Sequence, residues 1–146
     1  MYNLTYEQLL DENDIDVLKL KTIYQLPEVS RYISISDNYF CYVTSSADVY
    51  FYKLYNGDNL IGAIQLEKQG DLLYMSILIF PQFQGKGFAT EVINDIIKDI
   101  FKLDYKNIEV SVDEENIASL RVFTKAGFTK VSKCGVLINF VYQRKN

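Results

Sequence analysis

Leu72-Leu73-Tyr74-Met75-Ser76-Ile77-Leu78-Ile79-Phe80-Pro81, with Gln84-Gly85-Lys86-Gly87-Phe88-Ala89 close behind it, is the stretch that decides the fold. The run from 72 to 80 shows no clean polar alternation, so it predicts an inner strand covered on both faces. From Phe88 onward, Val92, Ile93, Ile96, Ile97 and Ile100 recur at helical spacing and predict an amphipathic helix reaching Phe101. Glu91 in its first turn and Lys98 and Lys102 in its last agree with the helix dipole. Between strand and helix lies a glycine turn. Free backbone N–H groups converge at such a helix start and the dipole adds partial positive charge, so the natural guest is an anion such as a diphosphate. Glycine at 85 and 87 permits positive φ and close approach of a ligand to the backbone. An ordinary strand-to-helix turn is the plain alternative, because short glycine patterns are weak signals.

Two familiar phosphate loops are excluded. A Walker loop needs Gly-Lys-Ser/Thr, and Lys86 is followed by Gly87. The dinucleotide fingerprint needs a third glycine and a downstream ribose-binding acid in register, and both are missing. A second element follows. Residues 108 to 113, Ile-Glu-Val-Ser-Val-Asp, alternate at period two and predict a strand. Asn116-Ile117-Ala118-Ser119-Leu120-Arg121-Val122-Phe123-Thr124-Lys125-Ala126-Gly127-Phe128 then predicts a helix. Asn116 is its N-cap and Gly127 its left-handed C-terminal residue, with Phe128 folding back over the last turn.

Gln84-x-x-Gly87-x-Ala89, after a strand ending at Pro81, resembles the acetyl-CoA pyrophosphate loop of the GNAT superfamily of N-acetyltransferases. The Asn116-x-x-Ser119 start and the Lys125-x-Gly127-Phe128 ending resemble the second motif of that family, in the right order. More weakly, Leu26-Pro27-Glu28-Val29-Ser30-Arg31-Tyr32-Ile33 and the Asn-x-x-Ser helix resemble the branch that includes RimJ and RimL. That branch also holds antibiotic and polyamine acetyltransferases, so it names no substrate.

The resemblance implies an α+β (mixed α/β) fold. Its central sheet is twisted and mostly antiparallel, with roughly six to seven strands and about four flanking helices, splayed in the middle to hold acetyl-CoA. It also implies a cofactor site: backbone groups of Ile77, Leu78 and Ile79 toward the pantetheine and thioester, and the turn Gln84, Gly85, Lys86, Gly87, Phe88, Ala89 and Thr90 toward the pyrophosphate. The Asn116 side chain belongs near the pantetheine, and Phe123 also lines the cofactor site. The implied reaction moves an acetyl group from the CoA thioester to a primary amine by direct attack, without a metal.

Such a transfer has two proton problems. An alkyl ammonium of pKa ~10.4 is neutral about once in 2,500 at pH 7, a cost of about 4.6 kcal/mol, so a carboxylate or an ordered water must take its proton. The departing thiolate gains from a nearby acid. Many family members place a tyrosine four residues before the Gly of the Gly-Phe ending; here that position is Phe123, which has no proton to give. Ser119 is the candidate substitute, unless it only satisfies backbone donors in a first helical turn. Asp71 and Glu67 are the candidate bases, with Glu109 and Asp113 as further carboxylates; all four also read as solvated strand ends or turns. A water relay with no single essential base stays open.

Composition narrows the rest. A chain of 146 residues is expected to form one domain, 1–146, with a real core. No apolar stretch reaches the ~18 residues of a membrane span. Asp11, Glu12 and Asp14 interrupt the N-terminus before any signal-peptide core. Cys41 and Cys134 fit no metal spacing and read as buried free thiols, which points to the cytoplasm. Histidine is absent, which excludes imidazole catalysis and His-ligated metals. A net charge of −4 argues against a nucleic-acid surface and favours a cationic amine, small molecule or peptide. A homodimer is left open. Two other functions stand beside the enzyme. A CoA-binding regulatory module without catalysis draws on Phe123, and a nucleotide-binding domain draws on the glycine turn alone.

Along the chain, residues 2 to 8 read as a strand, Asp11 to Tyr24 as a helix that Pro27 ends or restarts, and Ser34 to Val43 as a short helix. Asp48 to Leu54 and Leu60 to Glu67 read as strands joined across Asn56-Gly57. A turn at Gln69-Gly70-Asp71 leads into the central strand, and 129 to 133 with 136 to 143 form a last hairpin.

Overall fold

Alternating strands and helices emerge in the expected order in the computed structural model, which describes residues 2–145. In chain order they are β1 (Leu4–Gln8), α1 (Val17–Tyr24), α2 (Pro27–Ser30), α3 (Tyr39–Ser45), β2 (Val49–Asn56), β3 (Asn59–Gln69), β4 (Leu72–Ile79), a 3-10 turn (Pro81–Phe83), α4 (Phe88–Ile97), β5 (Asn107–Asp113), α5 (Ile117–Lys125), β6 (Thr129–Cys134) and β7 (Leu137–Gln143). The strands pair in the order β1-β2-β3-β4-β5-β7-β6. β4 and β5 are parallel, whereas β1–β2, β5–β7 and β6–β7 are antiparallel, so the sheet is mixed. The chain divides into two units, one holding residues up to Leu66 together with Ile77–Gln84, the other Glu67–Ser76 and the residues from Gly85 on.

The first unit builds its core from Leu20, Phe40, Phe51, Leu78 and Phe80, with Tyr39 and Phe83 packed against them. Phe40 and Phe51 meet edge to face with ring centroids 5.8 Å apart, a favourable aromatic geometry. α1 is shorter than its hydrophobic pattern predicts, starting at Val17 instead of Asp11. Asp11 and Asp14 are the reason. Their carboxylates accept the N–H groups of Asn13 and Asp16 at 2.9 Å each, which holds the backbone in local turns that compete with helix. Ile15, expected on the apolar stripe, is left in the turn and exposed, and Leu18 falls on the outward face of α1 opposite the buried Val17, Leu20, Ile23 and Tyr24. The helix expected over Ser34 to Val43 forms instead at Tyr39–Ser45.

Lys53 ties β1 and β2 to the segment before α1. Its side chain is 3% exposed, and its ammonium lies 3.1 Å from Glu7, 3.0 Å from Asp14 and 2.9 Å from Asp16. The Tyr55 hydroxyl donates to Asp16 at 2.6 Å. Strands β1 and β2 and the segment before α1 are thus tied to one buried cation.

In the second unit, β5 buries Ile108, Val110 and Val112 in strict alternation, as its sequence predicts. α4 buries Phe88, Val92, Ile93 and Ile96, but it ends at Ile97 and leaves Ile100 exposed. Asp99 adopts a left-handed φ of 67°, and the N–H groups of Asp99 and Ile100 bond back to the carbonyls of Ile96 and Asp95. That is a helix stop of the kind glycine usually provides, here made by an aspartate. α5 ends the same way on Gly127. The Gly127 and Phe128 N–H groups bond to Thr124 and Phe123, and the Phe128 ring packs on Phe123 at 5.2 Å.

Two more expectations change. β4 is covered on both faces only at its end, where Leu78 and Ile79, followed by Phe80, are buried; Tyr74 and Ser76 face outward in alternation with buried Leu73 and Met75. Cys41 and Cys134 are free but exposed. Cys41 lies on α3 between the buried Phe40 and the outward Tyr42, and Cys134 ends β6, an edge strand exposed along its whole length.

Candidate functional site

In the second unit the glycine turn runs straight into α4. Gly85 and Gly87 take φ of +75° and +87°, and Gly87 is itself the N-cap. A Cβ at either position would meet open space, so glycine is required there by the backbone angle and not by crowding. No side chain caps this helix start, and the first intrahelical bond is Glu91 N–H to Gly87 C=O at 3.2 Å. Amides at an uncapped helix start, opening on free space, suit a diphosphate. Lys86 is exposed within the turn and adds a full positive charge.

β4 and β5 are parallel, so the turns that follow them open at the same edge of the pair. The start of α4 follows β4, and the start of α5, with Asn116 and Ser119, follows β5. Asp113 builds the second approach. Its carboxylate accepts the Glu115 N–H and its carbonyl the Asn116 N–H, both at 2.9 Å, which occupies this candidate base in turn formation. Asn116 Oδ1 accepts the Ser119 N–H at 3.4 Å as an N-cap. Ser119 is half-buried one turn on. Phe123 is 8% exposed and packs against Phe128, whose ring centroid lies 5.4 Å from that of Tyr142. Tyr142 is therefore the phenol in the aromatic group around Phe123. The sequence does not single it out, since strand β7 carries it and the pairing of β7 with β6, where Thr129 stands opposite Val141, brings it beside Phe128.

The remaining carboxylates lie elsewhere. Asp71 precedes β4, and Glu67 lies two residues before the end of β3, so both are at the end of the sheet where the chain turns into β4. An eight-residue strand spans about 26 Å, and Ile77 to Ile79 are at its other end. Asp71 is exposed, pairs with Lys106 at 3.5 Å, and its carbonyl accepts the N–H groups of Lys106 and Asn107. Glu67 accepts from Gln69 at 3.4 Å. Glu109 stands opposite Tyr74 in the β4–β5 register, near the same end.

In the first unit, Ile77, Leu78 and Ile79 come after the last β4–β5 pair, which joins Tyr74 to Glu109. Gln84, expected to meet the cofactor, uses its Nε2 group at 2.9 Å on the Ile79 carbonyl. A part-buried polar chain lies in the same unit: Tyr39 donates to Gln65, and Tyr24 hydrogen-bonds Tyr39. Burial raises both phenol pKa values well above their ordinary value. Among the described residues no cluster of metal-ligating side chains occurs and no helix is long and apolar enough to cross a membrane.

Comparison with known proteins agrees with this geometry. The family model that matches is the acetyltransferase (GNAT) domain, over residues 3–129. An uncharacterized SPbeta prophage-derived N-acetyltransferase of Bacillus subtilis, YokL, is 31% identical over 85 residues, 55% of this chain. The match spans about half the length of that curated relative, 48%. Spermidine N-acetyltransferase from Vibrio cholerae, solved with CoA and spermine, superimposes with a TM-score of 0.82 at 17% identity, covering 97% of this chain and 95% of that one. An aminoglycoside acetyltransferase solved with coenzyme A and kanamycin gives 0.80 at 15% identity, with coverage of 97% and 95%.

Proposed function

The chain belongs to the acetyltransferase (GNAT) family, and we propose that it transfers an acetyl group from acetyl-CoA to a primary amine. One observation carries the cofactor reading: the start of α4 has no side-chain cap and is preceded by two left-handed glycines facing open space. The pyrophosphate rests there on the amides from Gly85 to Thr90, and the Asn116 amide meets the pantetheine. The backbone of Ile77 to Ile79 receives the thioester end. Acetyl-CoA supplies an activated acyl carbon. The amine nitrogen bonds to that carbon, the carbon–sulfur bond breaks with its electron pair on sulfur, and one amine proton leaves while the thiolate gains one.

Ser119 is the acid in this reading, its hydroxyl taking the place of the tyrosine that Phe123 replaces. Ser119→Ala is expected to lower kcat by about 10²-fold with little change in the KM for acetyl-CoA. An unchanged kcat would remove serine from the chemistry. Phe123→Tyr restores a phenol at the helix end; the fold should hold, because the ring keeps its packing on Phe128, and kcat should rise or its pH profile shift. For the base this reading takes an ordered water, because Asp71 and Glu67 sit at the end of β4 opposite Ile77 to Ile79, beyond the one-water reach of a general base.

The acceptor is a cationic amine. The two solved relatives were crystallised with spermine and kanamycin, both polycationic, and this chain carries a net charge of −4. Electrostatic steering makes kcat/KM fall as salt rises, because screening at ~8–10 Å weakens it. A rate indifferent to salt, or a neutral best substrate, would overturn this part. The decisive experiment is release of free thiol from acetyl-CoA across polyamines, aminoglycosides and peptides. Silence toward every amine, with CoA still bound, would favour the non-catalytic module that Phe123 suggests. A single cytoplasmic domain of the RimJ/RimL-like branch, with homodimer formation open to sedimentation analysis, completes the reading.

A further inference from the structure

Gly62 lies on β3, buried, with no turn and no positive φ to explain it. A Cβ built there would stand 2.2 Å from the Leu78 carbonyl oxygen, 3.2 Å from its carbon and 3.3 Å from the Ile79 Cα. The obstacle is backbone, which cannot swing aside like the end of a flexible side chain. β4 therefore approaches β3 at Leu78 more closely than any residue with a side chain at 62 would permit.

The orientation of the neighbouring peptides follows. Leu78 C=O faces β3, so the Ile79 N–H, trans to it across the peptide, faces away from β3. The next peptide is reversed. Phe80 N–H donates to the Ile61 carbonyl at 2.8 Å, and the Ile79 C=O faces outward, where Gln84 Nε2 holds it at 2.9 Å. Gly62 on one side and Gln84 on the other thus set both polar groups of Ile79.

We propose that Gly62 and the Gln84 side chain are positioning residues for acetyl transfer, which hold the Ile79 N–H where it donates to the thioester carbonyl. This rests on the acetyltransferase reading above. Fixed donors aimed at developing charge lose their value when they move by fractions of an ångström, and misplacement by about 1 Å costs about 10²-fold in rate. Gln84 thereby acts through the strand, not on the pyrophosphate.

The test uses the full chain, Gly62→Ala and Gln84→Met, with three readings: kcat, the Kd for CoA by calorimetry, and the infrared carbonyl band of bound acetyl-CoA carrying a ¹³C-labelled acetyl carbonyl. In the wild type the band should lie below that of free acetyl-CoA. In either variant the band should move back toward the free value and kcat fall by 10- to 100-fold, while CoA binds within about twofold of wild type. A variant that keeps both band and kcat would overturn the inference, and so would one that weakens CoA binding as much as it lowers kcat. Should Gly62→Ala fail to fold by circular dichroism, Gln84→Met alone decides on the same criteria. A wild type that binds no acetyl-CoA would overturn the acetyltransferase reading with it; an active wild type matched by both variants would overturn this inference alone.

Discussion

Gly87→Val and Ala89→Glu will each weaken CoA binding by about 10²-fold, while the chain stays folded. The physical loss differs between them. Gly87 holds a φ of +87°, where a β-branched residue is strained, so valine would twist the first amides of α4 out of line. Ala89 is in the first turn of α4, where a carboxylate would repel the pyrophosphate and compete for its donors. Hydrogen bonds to a charged group contribute about 1.5–3 kcal/mol each, so losing one amounts to between about tenfold and about 150-fold. Ala89→Gln is the control: similar in size but uncharged, it should retain more binding than Ala89→Glu. Calorimetry with CoA measures all three, and wild-type affinity in both Gly87→Val and Ala89→Glu would show that the anion site is elsewhere.

The second large effect is on stability. Lys53→Met is expected to destabilise the chain by about 3–5 kcal/mol, the usual consequence of removing one partner from a buried ionic group. Glu7, Asp14 and Asp16 would then face one another without their cation, and β1 and the segment before α1 would lose their anchor on β2. The apolar stem of methionine keeps the packing, so the loss reports charge and not a cavity. Chemical denaturation with an unchanged m-value would measure it; a loss below about 1 kcal/mol would mean the cluster is relaxed by solvent.

The same cluster has a pH signature. Burial raises the Asp16 pKa, but the hydrogen bonds from Tyr55 and Lys53 outweigh it, so the folded-state value lies below the ordinary 3.8. A depressed carboxylate stabilises the fold above its unfolded pKa and ceases to do so as pH falls through the folded one. Asp16 therefore contributes fully at neutral pH, and its share disappears below about pH 4. For Lys53, burial lowers the pKa, but hydrogen bonds with Asp16, Asp14, Glu7 and Tyr55 prevail and raise it above the ordinary 10.5. Its contribution is complete below that value and is lost only in strong alkali. In Lys53→Met the acid limb of the stability curve should be shallower than in the wild type.

What the residues show by themselves is mostly local. The alternation of Ile108, Val110 and Val112, the Asn116 cap, the Gly127-Phe128 helix stop and the pair Gly85-Gly87 are each determined within a few residues of chain, by period, capping chemistry and backbone angle. These features were enough to indicate the family. The misreadings were places where a local competitor or a distant neighbour prevailed. Asp11 and Asp14 took the backbone amides that an apolar stripe assigned to a helix, and Asp99 stopped α4 in a left-handed conformation that its hydrophobic period does not register. Tertiary structure alone decided the rest. A lysine in the middle of β2 becomes the buried hub of three carboxylates, Gln84 turns from a cofactor ligand into a clamp on Ile79, and Gly62 is needed only because the Leu78 carbonyl lies against it. The partners in these cases are between about 5 and 46 residues apart in the chain; strand pairing sets Glu7 opposite Lys53, and the folding of the segment before α1 onto β2 brings Asp14 and Asp16 there.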